Sequence, residues 1–317
     1  MTSQAYPQKR KLSGKRILAA LAILVAAVLV IASAAYFLSR WLPGSWEKKT
    51  TVLPANGLYS HSALLLDCES GRTLTRKNAN QRIFPASLTK IMTVYLAVQK
   101  LDPQQIITLE ASIFPPLSAQ QASMAGFEPG EQVSALDLMY GAMLPSGAEC
   151  CVALAEAMAG SETAFAQVMN QTARELGMSN THFVNSTGLQ DNDHYTTVED
   201  IALLLRTALE NPLFFQIFTT HSYTATGSAH PFGLSFTSTL WELPESQSLQ
   251  NGKILGGKTG YTDQAGLCLA SLAEIQGKQY LLVTASAKGD HSTPPYHLYD
   301  ALTLYGRIGS SSRSTEK

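Results

Sequence analysis

Two hydrophobic rhythms alternate along residues 58–308, and their order predicts the architecture. His61 to Leu66 and Arg72 to Arg76, on either side of the turn-forming stretch Asp67 to Gly71, read as a β-hairpin. A second hairpin is predicted from Leu267 to Ala273 and Tyr280 to Ala287, across Gly277. Between them the spacing changes to three and four. Leu136, Met139, Tyr140 and Met143 form one helical stripe, Phe165, Val168, Met169 and Leu176 a second, and Ile201, Leu204, Leu205 and Leu209 a third. A last helix, from about Pro294 to Tyr305, covers one sheet face. Strands from both ends of the chain with helices between them predict an α+β fold, a sheet lobe carrying an inserted helical lobe. No internal repeat is visible.

The N-terminal pattern is different. From Ile17 to Ser39 the only ionisable group is the phenol of Tyr36, and a helix needs about 20 such residues to cross a bilayer. Lys9, Arg10, Lys11, Lys15 and Arg16 precede the run, against Arg40, Lys48 and Lys49 after it, which places the N-terminus in the cytoplasm and the bulk of the chain outside. The expected organisation is a basic cytoplasmic segment at 1–16, a transmembrane signal-anchor at 17–39 and a linker at 40–57 containing Pro43, Gly44 and Pro54. A folded domain follows at 58–308, then a flexible Ser-rich tail at 309–317. Ala32-Ser33-Ala34 is an A-x-A pattern, so secretion after cleavage near Ala34 is the alternative, although the apolar run is longer than an ordinary signal core.

Composition narrows the chemistry. Net charge is −1, and no basic stripe lies beyond the N-terminus, which excludes nucleic acid as a partner. The cysteines Cys68, Cys150, Cys151 and Cys268 have no CxxC spacing and read as small packing residues. The seven histidines are scattered and no HExxH is present, so neither a metal nor another cofactor is expected; no G-x-S-x-G elbow points to a Ser-His-Asp hydrolase.

The segment FPASLTKIMTVYLAVQKL places Leu88, Ile91, Met92, Tyr95 and Leu96 on one helical stripe that ends before Asp102-Pro103. Ser87 and Lys90 lie beside that stripe, three residues apart on one face at the helix N-terminus. A serine hydroxyl needs a base to become a nucleophile, and a buried lysine in its neutral form is one. The backbone N–H of Ser87 at this helix end is an oxyanion donor, a group whose loss typically costs about 3 to 4 kcal/mol of barrier. Taken alone, Ser-x-x-Lys is common and reads equally as a cap and a solvated lysine.

Two further elements follow in order. Ser146 sits ahead of a helix, after one that starts at Ser134; with Glu149 it also forms the capping-box pattern S-x-x-E, which in isolation is the simpler reading. Lys258-Thr259-Gly260 leads into the apolar run at Leu267, on or entering a strand at the sheet edge. There an ammonium and a hydroxyl suit a substrate carboxylate, and Gly260 lets a peptide approach the backbone. Gly252 to Thr259 also fits G-x-x-x-x-G-K-T, but a P-loop needs a strand before it and a helix after it, and here a polar stretch precedes and a β-like run follows.

Ser87-x-x-Lys90, Ser146-Gly147 and Lys258-Thr259-Gly260, in that order, resemble the signature of the penicillin-interacting serine enzymes. Within that group, ALLLDCESGRTL, FPASLTKIMT, EPGEQVSALDLMYGAMLPSG, ELGMSNTHFVNSTGL, HYTTVEDIALL and GGKTGYTDQAG resemble the low-molecular-mass D-alanyl-D-alanine carboxypeptidases, over most of Leu58 to Gly289. The resemblance implies a β-lactamase/transpeptidase-like fold, an antiparallel sheet flanked by helices with a helical lobe and the active site between the lobes. It implies that Ser87 attacks the bond between the last two D-alanines of a peptidoglycan stem peptide, Lys90 takes its proton and Ser146 relays one to the leaving amine. Lys258 and Thr259 would hold the substrate carboxylate beside Gly260, and the amides of Ser87 and Tyr261 would form the oxyanion hole. β-Lactam antibiotics would acylate the same serine. Two departures stand out. The second element usually reads Ser-x-Asn, and Ala148 here lacks the amide that would contact substrate backbone and lysine. After about Tyr305 there is no counterpart of the C-terminal β-rich domain and amphipathic anchor of many relatives, so the N-terminal span is expected to supply the tether. The alternatives are a catalytically weak peptidoglycan-binding or signalling homologue, or a β-lactamase, although this chain carries no Glu-x-x-Leu-Asn segment between Ser146 and Lys258 to supply the deacylating base.

Overall fold

The computed structural model describes residues 53–243, 248–249 and 251–311, with side chains to 308. The predicted segments 1–16 and 17–39, the linker up to residue 52 and the tail beyond 311 lie outside the described residues.

The chain enters through the predicted hairpin, β1 (Ser60–Asp67) and β2 (Thr73–Lys77). Asp67 shapes the turn by accepting the amide of Ser70 on its carboxylate, 2.9 Å. The second hairpin is β9 (Leu267–Ile275) and β10 (Lys278–Ala287), joined by Gln276 and Gly277, both at positive φ (52° and 76°), as a two-residue hairpin turn requires. Together with β7 (Ser248–Leu249) and β8 (Gly252–Gly260) these make a sheet of order β2-β1-β10-β9-β8-β7. All its pairings are antiparallel, and β1 and β10, far apart in sequence, lie side by side with Leu64 opposite Val283. Two smaller hairpins, β3 (Ile106–Thr108) with β4 (Gln132–Ser134) and β5 (Ser222–Ala225) with β6 (Leu234–Thr237), belong to the helical side. The sequence pattern does not reveal them, because each strand is only three or four residues long.

Eight α-helices are described: α1 (Lys90–Lys100), α2 (Phe114–Ala119), α3 (Ala135–Met143), α4 (Ala148–Ala159), α5 (Glu162–Leu176), α6 (Val198–Ala208), α7 (Pro212–Thr219) and α8 (Tyr296–Ser311). Ser134 caps α3 as predicted, its hydroxyl accepting the amide of Asp137. Thr197 and Asn211 do the same for α6 and α7, and left-handed Gly160 and Gly177 close α4 and α5. Helix α8 runs past Tyr305, where the sequence pattern ends, to Ser311.

Period two in the strands loads both sheet faces. Leu65, Leu269, Ala273 and Leu282 pack with Leu298, Ala301, Leu304 and Tyr305 of α8. Leu64, Leu66, Leu281 and Val283 point the other way and are equally buried, on the face that α6 contacts. Each such side chain stabilises the fold by about 1.5–3 kcal/mol. Cys150, Cys151 and Cys268 are free and buried, and Cys68 is free and half-buried, in keeping with a packing role. Among the described residues no single helix is long and apolar enough to cross a membrane; α6 and α7 approach that only as a pair bent by 116°, and their apolar residues lie in the core.

Candidate active site

Helix α1 does not begin at Ser87. A 3-10 turn, Ala86–Thr89, precedes it, so Ser87 stands on a tight bend rather than in a helical turn. Ala86 takes a left-handed φ of 47°, which costs of order 1 kcal/mol or more for a residue with a side chain. The surroundings impose it. Gly188 packs so closely on the turn that a Cβ there would stand 1.8 Å from the carbonyl oxygen of Ala86. Thr89 is held by His194, Oγ1 to Nε2 2.8 Å, and Thr93 of α1 donates to the carbonyl of Ser186 at 2.6 Å. The turn carrying Ser87 is thus bound along its length to residues 186–194.

Lys90 turns its ammonium nitrogen to Ser87 Oγ at 2.9 Å. The lysine is 3% exposed, and burial pushes its pKa below the ordinary 10.5. Cys150, Cys151 and Glu149 act in the opposite direction. The thiols cannot hold a proton on Lys90 at neutral pH, because burial raises both and Cys151 stands at about 12, so neither is charged. Lys258 is fully buried, and burial first, then Lys90, drives it well below the ordinary range. Burial of both amines, and for Lys258 the nearby Lys90, act in the direction that favours the neutral form.

Ser146 is 5% exposed, its φ is +68°, and its buried Oγ has no hydrogen-bond partner among the described residues. The capping-box reading fails here. Gly147 is the N-cap of α4, no side-chain cap bond is made, and Glu149 Oε1 instead accepts the amides of Ala125 and Gly126 at 2.6 and 2.9 Å. The left-handed conformation of Ser146 turns its hydroxyl away from the amides that a cap would serve.

Lys258, Thr259 and Gly260 are the last residues of β8, as expected of a strand at the sheet edge. On the side away from β9, β7 pairs with β8 only at Gly252 and Lys253, so among the described residues no strand flanks Lys258–Gly260 there. Lys258 donates to its neighbour's carbonyl, Nζ to Thr259 O 3.0 Å. Thr259 Oγ1 lies 2.6 Å from Thr239 Oγ1. Gly260 brings the strand against the turn of Ser87, since a Cβ there would lie 3.0 Å from the amide nitrogen of Ser87. Tyr261 is the next residue; its ring packs edge-on to His291 and its hydroxyl donates to Asp263 at 2.7 Å.

A cleft of about 460 Å³ opens over these groups, lined by Ser87 and Lys90 at its base, Gln120–Ser123 and Ala148 on one wall, and Tyr261–Gln264 on the other. Four of the seven residues singled out in the sequence meet at this cleft or directly beside Ser87: Ser87, Lys90 and Tyr261 line it and Gly260 abuts Ser87, while Lys258 lies near enough to Lys90 to feel its charge. Ser146 precedes the Ala148 wall, and Thr259 turns its hydroxyl to Thr239. Sequence reasoning missed His194, Gly188, Thr239 and the clamping role of Glu149. Only HYTT and STGL, quoted for the resemblance, touched two of these positions. Among the described residues no cluster of ligating side chains fit for a metal ion is present.

An antiparallel sheet, a helical lobe and a cleft between them holding a serine, two buried lysines and a free strand end define the fold of the penicillin-interacting serine peptidases. More narrowly, the chain belongs to the D-alanyl-D-alanine carboxypeptidase family, peptidase S11, whose model matches residues 48–289. It is similar to the D-alanyl-D-alanine carboxypeptidase DacF of Bacillus subtilis (strain 168), 34% identical over 238 residues, or 74% of this chain and 58% of that protein. It is also similar to DacC of Escherichia coli (strain K12), 31% identical over 268 residues, 82% of this chain and 64% of that one. The chain therefore spans about three-fifths of the length of these relatives. Among solved structures, the Streptomyces K15 DD-transpeptidase superposes with a TM-score of 0.70 at 26% identity, covering 81% of this chain and all of that one.

Proposed function

We propose that this protein is an exported serine D-Ala-D-Ala carboxypeptidase, tethered to the cell membrane, that trims the terminal D-alanine of peptidoglycan stem peptides. One observation carries the reading: a buried lysine, its pKa lowered by that burial, 2.9 Å from the hydroxyl of a serine at the foot of an open cleft. Lys90 takes the proton of Ser87 as its oxygen attacks the penultimate D-alanine carbonyl. The amides of Ser87 and Tyr261 receive the oxyanion. Ser146, whose hydroxyl has no other partner, passes a proton to the departing D-alanine nitrogen. Lys258 and Thr259 hold the terminal carboxylate, and the edge of β8 ending at Gly260 lies along the peptide. Water then hydrolyses the acyl-enzyme, and a β-lactam enters the same path and stalls there.

The span 17–39 supplies the tether, with 1–16 in the cytoplasm, 40–57 as linker, 58–308 as the catalytic domain outside and 309–317 as tail. The family's extracytoplasmic substrate agrees with that topology.

Incubating the detergent-solubilised full chain with a D-Ala-D-Ala pentapeptide tests the activity, with release of free D-alanine as the expected result. Covalent labelling of Ser87 by fluorescent penicillin with no D-alanine released would replace this reading by the peptidoglycan-binding one. Export is tested by protease treatment of intact cells, which should digest the domain; full protection would refute it.

A further inference from the structure

Ala148 is among the residues lining the cleft with Ser87 and Lys90; it is 1% exposed and has no side-chain donor or acceptor to offer an extended peptide. The edge of β8 hydrogen-bonds such a peptide from one side only. The opposite wall, however, is not made by α4 alone. The amide of Ala148 donates to Ser123 O at 2.8 Å, and Glu149 Oε1 clamps the amides of Ala125 and Gly126. Gln121 N donates to Ser118 O and Ala122 N to Leu117 O, both at 3.0 Å. These bonds lay residues 120–123 alongside Ala148, and all four line the same cavity.

Two carboxamides lie on this segment. That of Gln120 bends back along its own helix, Nε2 to Pro116 O 3.4 Å. Gln121 adopts a left-handed φ of 51° and exposes its side chain at the cleft. That conformation closes α2 at its C-terminus, Gln121 N on Ser118 O and Ala122 N on Leu117 O, and leaves the Gln121 side chain exposed among the residues that line the cleft.

We propose that Gln121 is a substrate-binding residue whose carboxamide, donor and acceptor at once, takes the place of the amide that Ala148 lacks and holds the peptide bond on the acyl side of the scissile carbonyl. The assignment rests on the carboxypeptidase reading above. In a penicillin, the acylamino side chain occupies the equivalent place.

The test uses the full chain and the variants Gln121→Ala, Ala148→Asn and the double variant Gln121→Ala/Ala148→Asn. Gln121→Ala should lower kcat/KM for the D-Ala-D-Ala pentapeptide about tenfold, the effect of one lost hydrogen bond, with Tm unchanged. Ala148→Asn should restore most of the loss in the double variant. Acylation by a penicillin should fall similarly in Gln121→Ala, whereas acylation by a penicillin nucleus lacking the acylamino arm should not. An unaltered Gln121→Ala enzyme, or an equal loss with the bare nucleus, overturns the assignment. Absence of D-alanine release by the parent chain defeats the carboxypeptidase reading instead, and the two penicillin rates still decide the role of Gln121.

Discussion

Nε2 of His194 lies 2.8 Å from Oγ1 of Thr89, across 105 residues of sequence, while Nδ1 of the same ring accepts the amide of Val184 at 3.0 Å. A ring nitrogen that accepts a backbone N–H carries no proton, so the proton sits on Nε2 and is donated to Thr89. The neutral imidazole thereby ties the turn of Ser87 to the residues that form the cleft floor. Burial holds its pKa down at about 4, against an ordinary 6.5. A histidine depressed in the folded state contributes stability that is complete above its unfolded pKa and lost as pH falls toward the folded one. Between about pH 6.5 and pH 4 the loss should reach about 3 kcal/mol, and buried His297, also at about 4, adds a similar step. Urea unfolding across that range should show His194→Asn with a shallower pH slope than the parent; equal slopes would contradict the neutral-ring account.

Gly188 packs directly on the turn of Ser87, at a φ of +85°. Gly188→Ala meets both a forbidden contact with Ala86 O and a strained backbone. A loss of at least about 2 kcal/mol is expected, together with slower acylation, because relief requires Ala86 and hence Ser87 to move. A variant of parental Tm and acylation rate would show the contact to be soft.

Lys90 should set the acid limb of acylation. The reactive form is the neutral amine, burial lowers the pKa, and so the rate should rise with pH and level off below 10.5. Second-order acylation rates by penicillin from about pH 5 to about pH 11 measure this. A rate still climbing through 10.5 would mean that the lysine keeps its proton, and another base would be needed.

Glu149 bonds two amides of the loop that forms the cleft wall. Glu149→Ala leaves both donors without an acceptor in a buried setting, and a destabilisation of about 1–3 kcal/mol is expected. Peptide KM should rise as the wall carrying Gln121 loosens. If denaturant midpoint and KM both stay at parental values, the clamp has no consequence.

Long-period patterns were the legible part of this fold. The two hairpins of the main sheet, the core stripe of α1 and the cap at Ser134 follow from residues whose local preferences agree with their tertiary setting. What escaped depends on distant groups. Ser146 and Glu149 match a capping box letter by letter, yet a loop more than twenty residues upstream claims the carboxylate, and the serine turns left-handed. The 3-10 turn at Ser87 is imposed by Gly188 and His194, neither of which has any sequence relation to it. The motif residues that meet at the cleft were therefore readable, whereas the residues that hold them in place were visible only once the chain was folded.

The central claim is that Ser87 is the nucleophile of this cleft. Intact-mass measurement of the full chain after incubation with penicillin, followed by peptide mapping, tests it most directly. One adduct of the drug's full mass per chain, located on Ser87 and absent from Ser87→Ala, is the predicted result. An unmodified chain, or an adduct on any other residue that persists in Ser87→Ala, would contradict it.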